Sequence, residues 1–458
     1  MREVDRGDPE RIVVQGAERG LVGAARVPGD KSISHRALLF NALGEGEARL
    51  SGLLGSEDVW RTREALVALG VPMARGGEAL ILRGRAGALS EPSDVIDCGN
   101  SGTTLRLLLG ALAGQPFFTA LTGDASLRSR PQARVARPLV AMGATVDGRA
   151  GGDRAPIAIR GRRPLQNQRF DLPIASAQVA TALLLAGLSG EGEQEILLPG
   201  PARDHSERML QAMGAPLEVE ALPEGARRLR LAGPAPLRAV DLQVPGDVSS
   251  AAFLLVAAAI IPGSALEIQG VGLNPTRTGA LDALVRMGAQ LTVEVDSTGG
   301  EPAGLVRVSA GELRGVTIEG HEIPRLIDEI PALAIAAARA HGVTEIRGAA
   351  ELRHKESDRL SSTAALVRAL GAQVEERPDG LSVEGVGGAP FAPFSWDSGG
   401  DHRLAMAAVI AGLGARGESG ISGAGCVATS FPGFAAALSA LGARLSGEHA
   451  GGSSWPRG

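Results

Sequence analysis

The stretch Asp282–Ala289, DALVRMGA, reads as the end of an amphipathic helix closed by a glycine, and it is one of six such phrases. The others are EALVALGV (64–71), PLVAMGA (138–144), RMLQAMGA (208–215), ALVRALGA (365–372) and ALSALGA (437–443). Their glycines, Gly70, Gly143, Gly214, Gly288, Gly371 and Gly442, follow one another at 73, 71, 74, 83 and 71 residues. A glycine directly after a helical pattern supplies the left-handed residue that ends the helix. Six copies at so regular an interval mark an internal repeat.

Working outward, each phrase is preceded by a second helical stretch. These stretches begin SHRALLF, GTTLRLL, SAQVATA, SSAAFLL, IPALAIA and DHRLAMA. Each has a polar start and then a run that is apolar on nearly every face, which predicts a buried helix. A glycine-containing turn and an alternating strand follow, then the amphipathic helix, then two more strands such as QLTVEV and GLVRVSA. The unit is β-α-β-α-β-β, and six of them make an α/β protein. The tetrapeptide VPGD occurs at Val27–Asp30 and again at Val244–Asp247, three units apart. Pro-Gly redirects a chain, so these points predict two crossings between lobes of three repeats. The expected lobes are 28–246, with repeats one to three, and 1–27 plus 247–446, with repeats four to six. Residues 447–458 are expected to be a disordered tail.

Composition narrows the class. Among 458 residues there are 46 Lys+Arg, but only Lys31 and Lys355 are lysines, and tyrosine is absent. Such a skew is a coding bias, so a surviving lysine is a candidate for a place where the planar arginine fork will not do. A hydrophobic content of 44% and a charge content of 21% describe a globular chain. Net charge −5 argues against a nucleic-acid binder held by general basicity. The charged start MREVDRGDPERIVVQG has no signal-peptide core, and the longest apolar run, 251–262, is too short to span a bilayer. Cys98 and Cys426 lie far apart, without disulfide or zinc spacing. The expectation is a cytoplasmic protein.

The unusual polar residues collect at the starts of the buried helices. They are Lys31, Ser32 and Arg36; Asn100, Ser101, Gly102 and Thr103; Ser176 and Gln178; Asp247 and Ser249; Asp328; and Asp401, His402 and Arg403. Helix N-termini bind anions through unpaired N–H groups. Ordinary capping explains Asp247 and Ser249. It does not explain Lys31, Arg36 or Arg403, because cations there oppose the helix dipole unless an anion sits between. The second helices add Arg130, Arg203-Asp204-His205, Arg277, and Lys355, Glu356 and Arg359. On a helix Lys355 and Arg359 would share one face. An isolated KESDR is usually a solvated salt-bridging face, but here it holds one of only two lysines, 27 residues after Asp328.

Other motifs drop out. PGDKS lacks the Walker A spacing, GNSGTT lacks the dinucleotide fingerprint, and there is no Gly-x-Ser-x-Gly elbow or paired-histidine metal motif. His321, His341 and the last histidine of the chain read as surface residues. The remaining inventory is a two-lobed cleft of cations, helix starts and two carboxylates. It suits acid–base joining of two anionic substrates without a metal or cofactor.

The motifs VPGDKSISHRAL (27–38), GNSGTTLRLL (99–108), TGDASLRSRP (122–131), SAQVATALLLAGL (176–188), RDHSERML (203–210), NPTRTG (274–279), KESDRL (355–360) and DHRLAMA (401–407) together resemble the 5-enolpyruvylshikimate-3-phosphate synthase family. The resemblance runs from about residue 12 to 446. It implies two lobes of three repeats each and transfer of enolpyruvyl from phosphoenolpyruvate to the 5-hydroxyl of shikimate 3-phosphate, on the way to chorismate and aromatic amino acids. By the same resemblance Lys31 touches both substrates. Ser32, Arg36, Ser176, Ala177, Gln178, Arg203, Asp328 and Lys355 fall at shikimate 3-phosphate positions. Gly102, Arg130, Gln178, Arg359 and Arg403 fall at phosphoenolpyruvate positions. Asp328 matches the carboxylate that takes the hydroxyl proton, and Glu356 matches the acid that protonates the methylene. No cofactor or metal is implied, and the expected state is a monomer.

The chain departs from one branch of the family. Arg203 stands where that branch has a tyrosine, Thr429 where it has a lysine, and Leu107 where it has a proline. SAQV and RDH instead resemble the second branch. Two alternatives stand beside this reading. One is the UDP-N-acetylglucosamine enolpyruvyl transferase, which usually carries a cysteine in the loop equivalent to 120–131, where this chain has none. The other is a non-catalytic anion-binding protein of the same fold.

Overall fold

A computed structural model describes residues 10–296 and 300–447. The strands among them form six separate sheets, one for each repeat, and five of the six have four strands. The repeat centred on the helix Gly102–Ala113 shows the pattern. Ile96–Asp97 runs parallel to Phe118–Thr122, which is antiparallel to Arg154–Arg160, which in turn pairs with Thr145–Gly148. The spatial order is therefore first, second, fourth, third strand. All six repeat glycines have positive φ, from +81° at Gly70 to +106° at Gly143, as a left-handed helix terminator requires.

The apolar helices are buried as their composition predicts. Every residue of Val248–Ile260 is buried, and so are all of His402–Leu413 and Ile330–Arg339. Each fully buried Leu, Ile, Val or Phe contributes about 1.5–3 kcal/mol, so these helices dominate the core. Five of the six buried helices have a side-chain cap. Asp30 accepts from the Ile33 amide, Ser101 from Thr104, Ser176 from Val179, Asp247 from Ser249 and Asp401 from Arg403. Ile330–Arg339 is instead entered through a 3-10 turn, Ile327–Glu329, with Pro331 in the first helical turn, where its missing N–H costs nothing.

The chain divides into two compact units. One is Gly29–Val244; the other takes the chain up to Pro28 together with the chain from Pro245 onward. Each has its own hydrophobic core, one including Phe40, Leu108 and Leu184, the other Phe253, Ile335 and Val409. Strands are exchanged around both VPGD turns. Val22–Arg26 pairs with Ala265–Gly272 in the sheet of repeat four, whereas Leu242–Gln243 pairs with Glu47–Ser51 in the sheet of repeat one. Arg11–Gln15 lies between Glu418–Ser422 and Leu445–Gly447. Two N-terminal strands thus complete sheets of the second unit.

Two further expectations change. Gly447 closes a strand opposite Ile12 and does not begin a tail; the remainder of the tail, 448–458, lies outside the described residues. Lys355 and Arg359 do not share a helix. A 3-10 turn ends at His354, Lys355 is extended (φ −84°, ψ −150°), and the helix begins at Arg359 behind its cap Asp358. The cap explains the break, because Asp358 accepts the Ser361 amide at 3.1 Å and pairs with Arg353 at 2.8 Å. Among the described residues no helix is long and apolar enough to cross a membrane.

Candidate active site

In the unit Gly29–Val244, the first three buried helices bring their N-terminal residues to bear on a common set of partners. Lys31 opens its helix and pairs with Asp58, which sits in the first turn of the next helix, Glu57–Ala68. Arg36, 3% exposed, lies one turn further in. Its Nε donates to Ser206 and its Nη2 to Thr181, both at 2.8 Å, and its Nη1 reaches the Ser32 carbonyl at 3.0 Å. Arg203 donates to the Ser32 hydroxyl at 3.4 Å. These bonds tie Ser32, Arg36 and Arg203 into one group, and Lys31 precedes Ser32 at the start of the same helix.

A second group forms around Gly102. Arg130 donates to the Asn100 side-chain oxygen at 2.7 Å and to Ser126 at 3.0 Å. A Cβ on Gly102 would lie 3.1 Å from Arg106 Nη1 and 3.7 Å from Arg130 Nη1. The bare helix start is therefore faced by two guanidinium groups. Arg106 was not among the residues expected from sequence, yet it donates to Gln178 at 2.8 Å and to Gln132 at 3.1 Å. Gln178 in turn donates to Thr103 at 3.0 Å. Ser176 caps this third helix, and Ala177 is its first residue. A lone arginine inside the otherwise apolar run TTLRLLLGALA was the available signal. Asp58 gave none, since an acid in a first helical turn is ordinary.

His35 lies between these groups, fully buried, with Nδ1 2.7 Å from Thr62 Oγ1. Thr62 continues to Thr104 at 2.7 Å, and Thr104 donates to Ser101 at 2.7 Å. Burial is the main cause that lowers the His35 pKa to about 3; Asp58 opposes the shift, and Lys31 and Arg36 reinforce it. The ring is neutral at pH 7.

In the other unit, Arg359 is the centre. It is 2% exposed and meets three carboxylates. Asp401 takes its Nε at 2.8 Å and Nη2 at 3.2 Å, Glu356 takes Nη2 at 2.7 Å, and Asp328 stands 3.4 Å from Nη1. Burial alone would lower the Arg359 pKa, but Glu356 and Asp401, with Asp328 behind them, reverse it and raise it above its usual value. Burial likewise pushes Asp401 up, and Arg359 outweighs it, holding the carboxyl below the usual range. Lys355 reaches the same Asp328 oxygen at 3.4 Å. Asp328, Glu356, Lys355 and Arg359 thus converge as one charged cluster. Arg403, 6% exposed, lies with its guanidinium carbon 5.9 Å from the Phe253 ring centre, and its Nη1 has no protein acceptor among the described residues.

Asp247 and Ser249, expected to be caps, do more than cap. Arg277 donates to Asp247 at 3.0 Å and to Ser249 at 2.7 Å, and Ser249 donates to the buried Glu329.

The chain is similar over nearly its whole length to proteins of one family. The family model described as EPSP synthase (3-phosphoshikimate 1-carboxyvinyltransferase) matches residues 16–438. A 3-phosphoshikimate 1-carboxyvinyltransferase of Geobacter sp. (strain M21) is 49% identical over 428 residues, 93% of this chain and 97% of that protein. One from Thermosynechococcus vestitus (strain NIES-2133 / IAM M-273 / BP-1) is 52% identical over 430 residues, 93% of this chain and 96% of that protein. Among solved structures, the EPSP synthase of Acinetobacter baumannii superimposes with a TM-score of 0.86 at 40% identity, covering 95% of this chain and 99% of that one. The enolpyruvyl transferase NikO of Streptomyces tendae, TM-score 0.75 at 21% identity over 97% of this chain and 100% of that one, shares the fold.

Proposed function

Because the chain belongs to the EPSP synthase family, we propose that the two charged groups just described act together on one pair of substrates. The reaction is the transfer of enolpyruvyl from phosphoenolpyruvate to the 5-hydroxyl of shikimate 3-phosphate, with release of phosphate. In this proposal Asp328 accepts the hydroxyl proton as the oxygen attacks C2 of phosphoenolpyruvate. Glu356 delivers a proton to the methylene carbon, giving a tetrahedral ketal phosphate. Loss of a methyl proton and of phosphate then restores the double bond in the product. Lys31 contacts both substrates. Ser32, Arg36, Ser176, Ala177, Gln178, Arg203 and Lys355 hold shikimate 3-phosphate; Gly102, Arg130, Gln178, Arg359 and Arg403 hold phosphoenolpyruvate.

The observation that carries these roles is the cluster of Asp328 and Glu356 on Arg359, with Lys355 also on Asp328. Two carboxylates on one guanidinium allow one to take a proton while the other gives one, and the cations complement the phosphate and carboxylate groups of the substrates. The buried Arg403 Nη1, with no acceptor among the described residues, supports an anion at that position.

Membership of the second branch is also proposed, on SAQV at 176–179 and on Arg203 bound to Ser32. The working protein is a cytoplasmic monomer in this reading: both groups come from one chain, and Cys98 and Cys426 are not joined in a disulfide. The decisive test measures phosphate release with each acceptor. Release is expected with shikimate 3-phosphate plus phosphoenolpyruvate. Silence with that pair, or release with UDP-N-acetylglucosamine instead, would overturn the assignment. Asp328→Ala is expected to retain shikimate 3-phosphate binding by calorimetry and to lose turnover by about 10³-fold. Near-normal turnover would remove Asp328 from the chemistry.

A further inference from the structure

Asp328 and Glu329 are neighbours in the 3-10 turn Ile327–Glu329, yet they serve opposite sides of it. The Asp328 side chain keeps 15% of its exposure and meets Lys355 and Arg359. Glu329 is 1% exposed and turns inward, where the Ser249 hydroxyl donates to its carboxylate. The direction of that hydroxyl is fixed by the groups around it. Arg277 Nη2 donates to the Ser249 oxygen at 2.7 Å, so the single hydroxyl proton is left to point at Glu329. The same guanidinium nitrogen donates to Asp247 at 3.0 Å, and Asp247 takes the Ser249 amide at 3.0 Å. None of Asp247, Ser249, Arg277 and Glu329 is more than 3% exposed. Stability alone is a weak reason to keep such a set, because well-packed apolar groups of similar volume do as well or better. What the network supplies is direction: it fastens one edge of a three-residue turn whose other edge carries Asp328.

We infer that Glu329 is a positioning residue for Asp328, and that its buried hydrogen bond to Ser249 sets where the Asp328 carboxylate stands between Lys355 and Arg359. The inference rests on Asp328 being the proton acceptor. Without the anchor the turn rotates, and a misplacement of about 1 Å at a reacting group costs on the order of 10²-fold in rate.

The test is steady-state phosphate release, with thermal melting alongside, for Glu329→Ala, Glu329→Gln, Ser249→Ala, Asp328→Ala and the double variant Asp328→Ala/Glu329→Ala. Glu329→Ala is expected to lose about 10²-fold in kcat with both KM values unchanged. Glu329→Gln keeps an acceptor oxygen for the Ser249 hydroxyl and is expected to recover most of that loss. In the Asp328→Ala background, Glu329→Ala is expected to add nothing, because a residue that acts through another has no effect once the other is gone. Should Glu329→Ala fail to fold, Ser249→Ala removes the same bond with little change of volume and must show the same kcat-only loss. Wild-type kcat in the alanine variants, no recovery by glutamine, or a full additional loss in the double variant each overturns the inference. Wild-type turnover in Asp328→Ala is a different failure, since it removes the premise that Asp328 is the proton acceptor.

Discussion

Lysine is so scarce in this chain that both copies invite one question: why an ammonium and not a guanidinium? Lys31 is the first residue of a buried helix and is paired with Asp58; Lys355 lies 3.4 Å from Asp328 and 3.8 Å from Glu351. An ammonium is a compact point charge on a rotatable stem, and a planar fork in its place points its donors in fixed directions. Lys31→Arg and Lys355→Arg are therefore each expected to lower kcat/KM by about 10²-fold or more although the charge is kept. Wild-type kinetics in either would show that its survival is compositional. Asp401 gives a prediction of another kind. It holds both Nε and Nη2 of Arg359 and caps its own helix, so Asp401→Ala takes one of three carboxylates from a buried cation and removes a helix cap, which together cost about 3–5 kcal/mol. Urea unfolding is expected to show a lower midpoint with an unchanged slope; a loss below about 1 kcal/mol would mean that the pair behaves as a solvated one. Scarcity made the two lysines legible in the sequence. Arg106 was hidden by the opposite circumstance, because it is one arginine among many and only its place inside an apolar helix sets it apart.

At the scale of elements, the polar residues that open the apolar helices were legible as a class, since a buried helix must satisfy its first amides from its own side chains. The shape of KESDR was not, because residue spacing alone cannot tell a continuous helix from a 3-10 turn followed by a fresh start at Asp358. The two arrangements give the same charges on Asp328 by different routes. The first buried helix, Lys31–Leu43, also carries a pH dependence. The folded pKa of His35 is about 3, against an ordinary value of 6.5. Below pH 6.5 the unfolded chain binds a proton that the folded chain refuses, so stability is present in full above that pH and falls as pH drops toward 3. The slope from this single group approaches about 1.4 kcal/mol per pH unit. Asp401 works in the same direction at more acid pH, because its lowered pKa contributes stability above the unfolded value that is lost as pH falls through the folded one. His35→Asn has no charge to gain. Urea unfolding of this variant between about pH 4 and 6 is expected to show a dependence shallower by about 1.4 kcal/mol per pH unit. An unchanged slope would mean that His35 titrates normally in the folded chain.

For the whole molecule, the sixfold repeat could be read from glycines that share one backbone requirement, positive φ after a helix. Which sheet each strand beside the two crossings completes could not be read, because pairing partners leave no mark on a strand as short as Leu242–Gln243, which has no periodicity to display. The exchange has a directional consequence. Arg11–Gln15 has a neighbour on each side, Glu418–Ser422 and Leu445–Gly447, so its removal opens a sheet in the middle. Val22–Arg26 forms the edge that covers Ala265–Gly272. The sheet of repeat one draws its edge from Leu242–Gln243 and uses no residue before Gly29. A chain lacking residues up to Pro28 should therefore lose order in the second unit while the first keeps its own sheets and core. Hydrogen exchange is the measurement: amides of 265–272, 418–422 and 445–447 are expected to lose protection, and those of Glu47–Ser51, Phe118–Thr122 and Gly190–Leu198 to retain it. Phosphate release should vanish in the same preparation, because the residues proposed for proton transfer all belong to the unit that has lost its strands. Loss of protection spread equally over both units would mean that the N-terminal strands support the molecule as a single cooperative body, and that the two cores do not fold on their own.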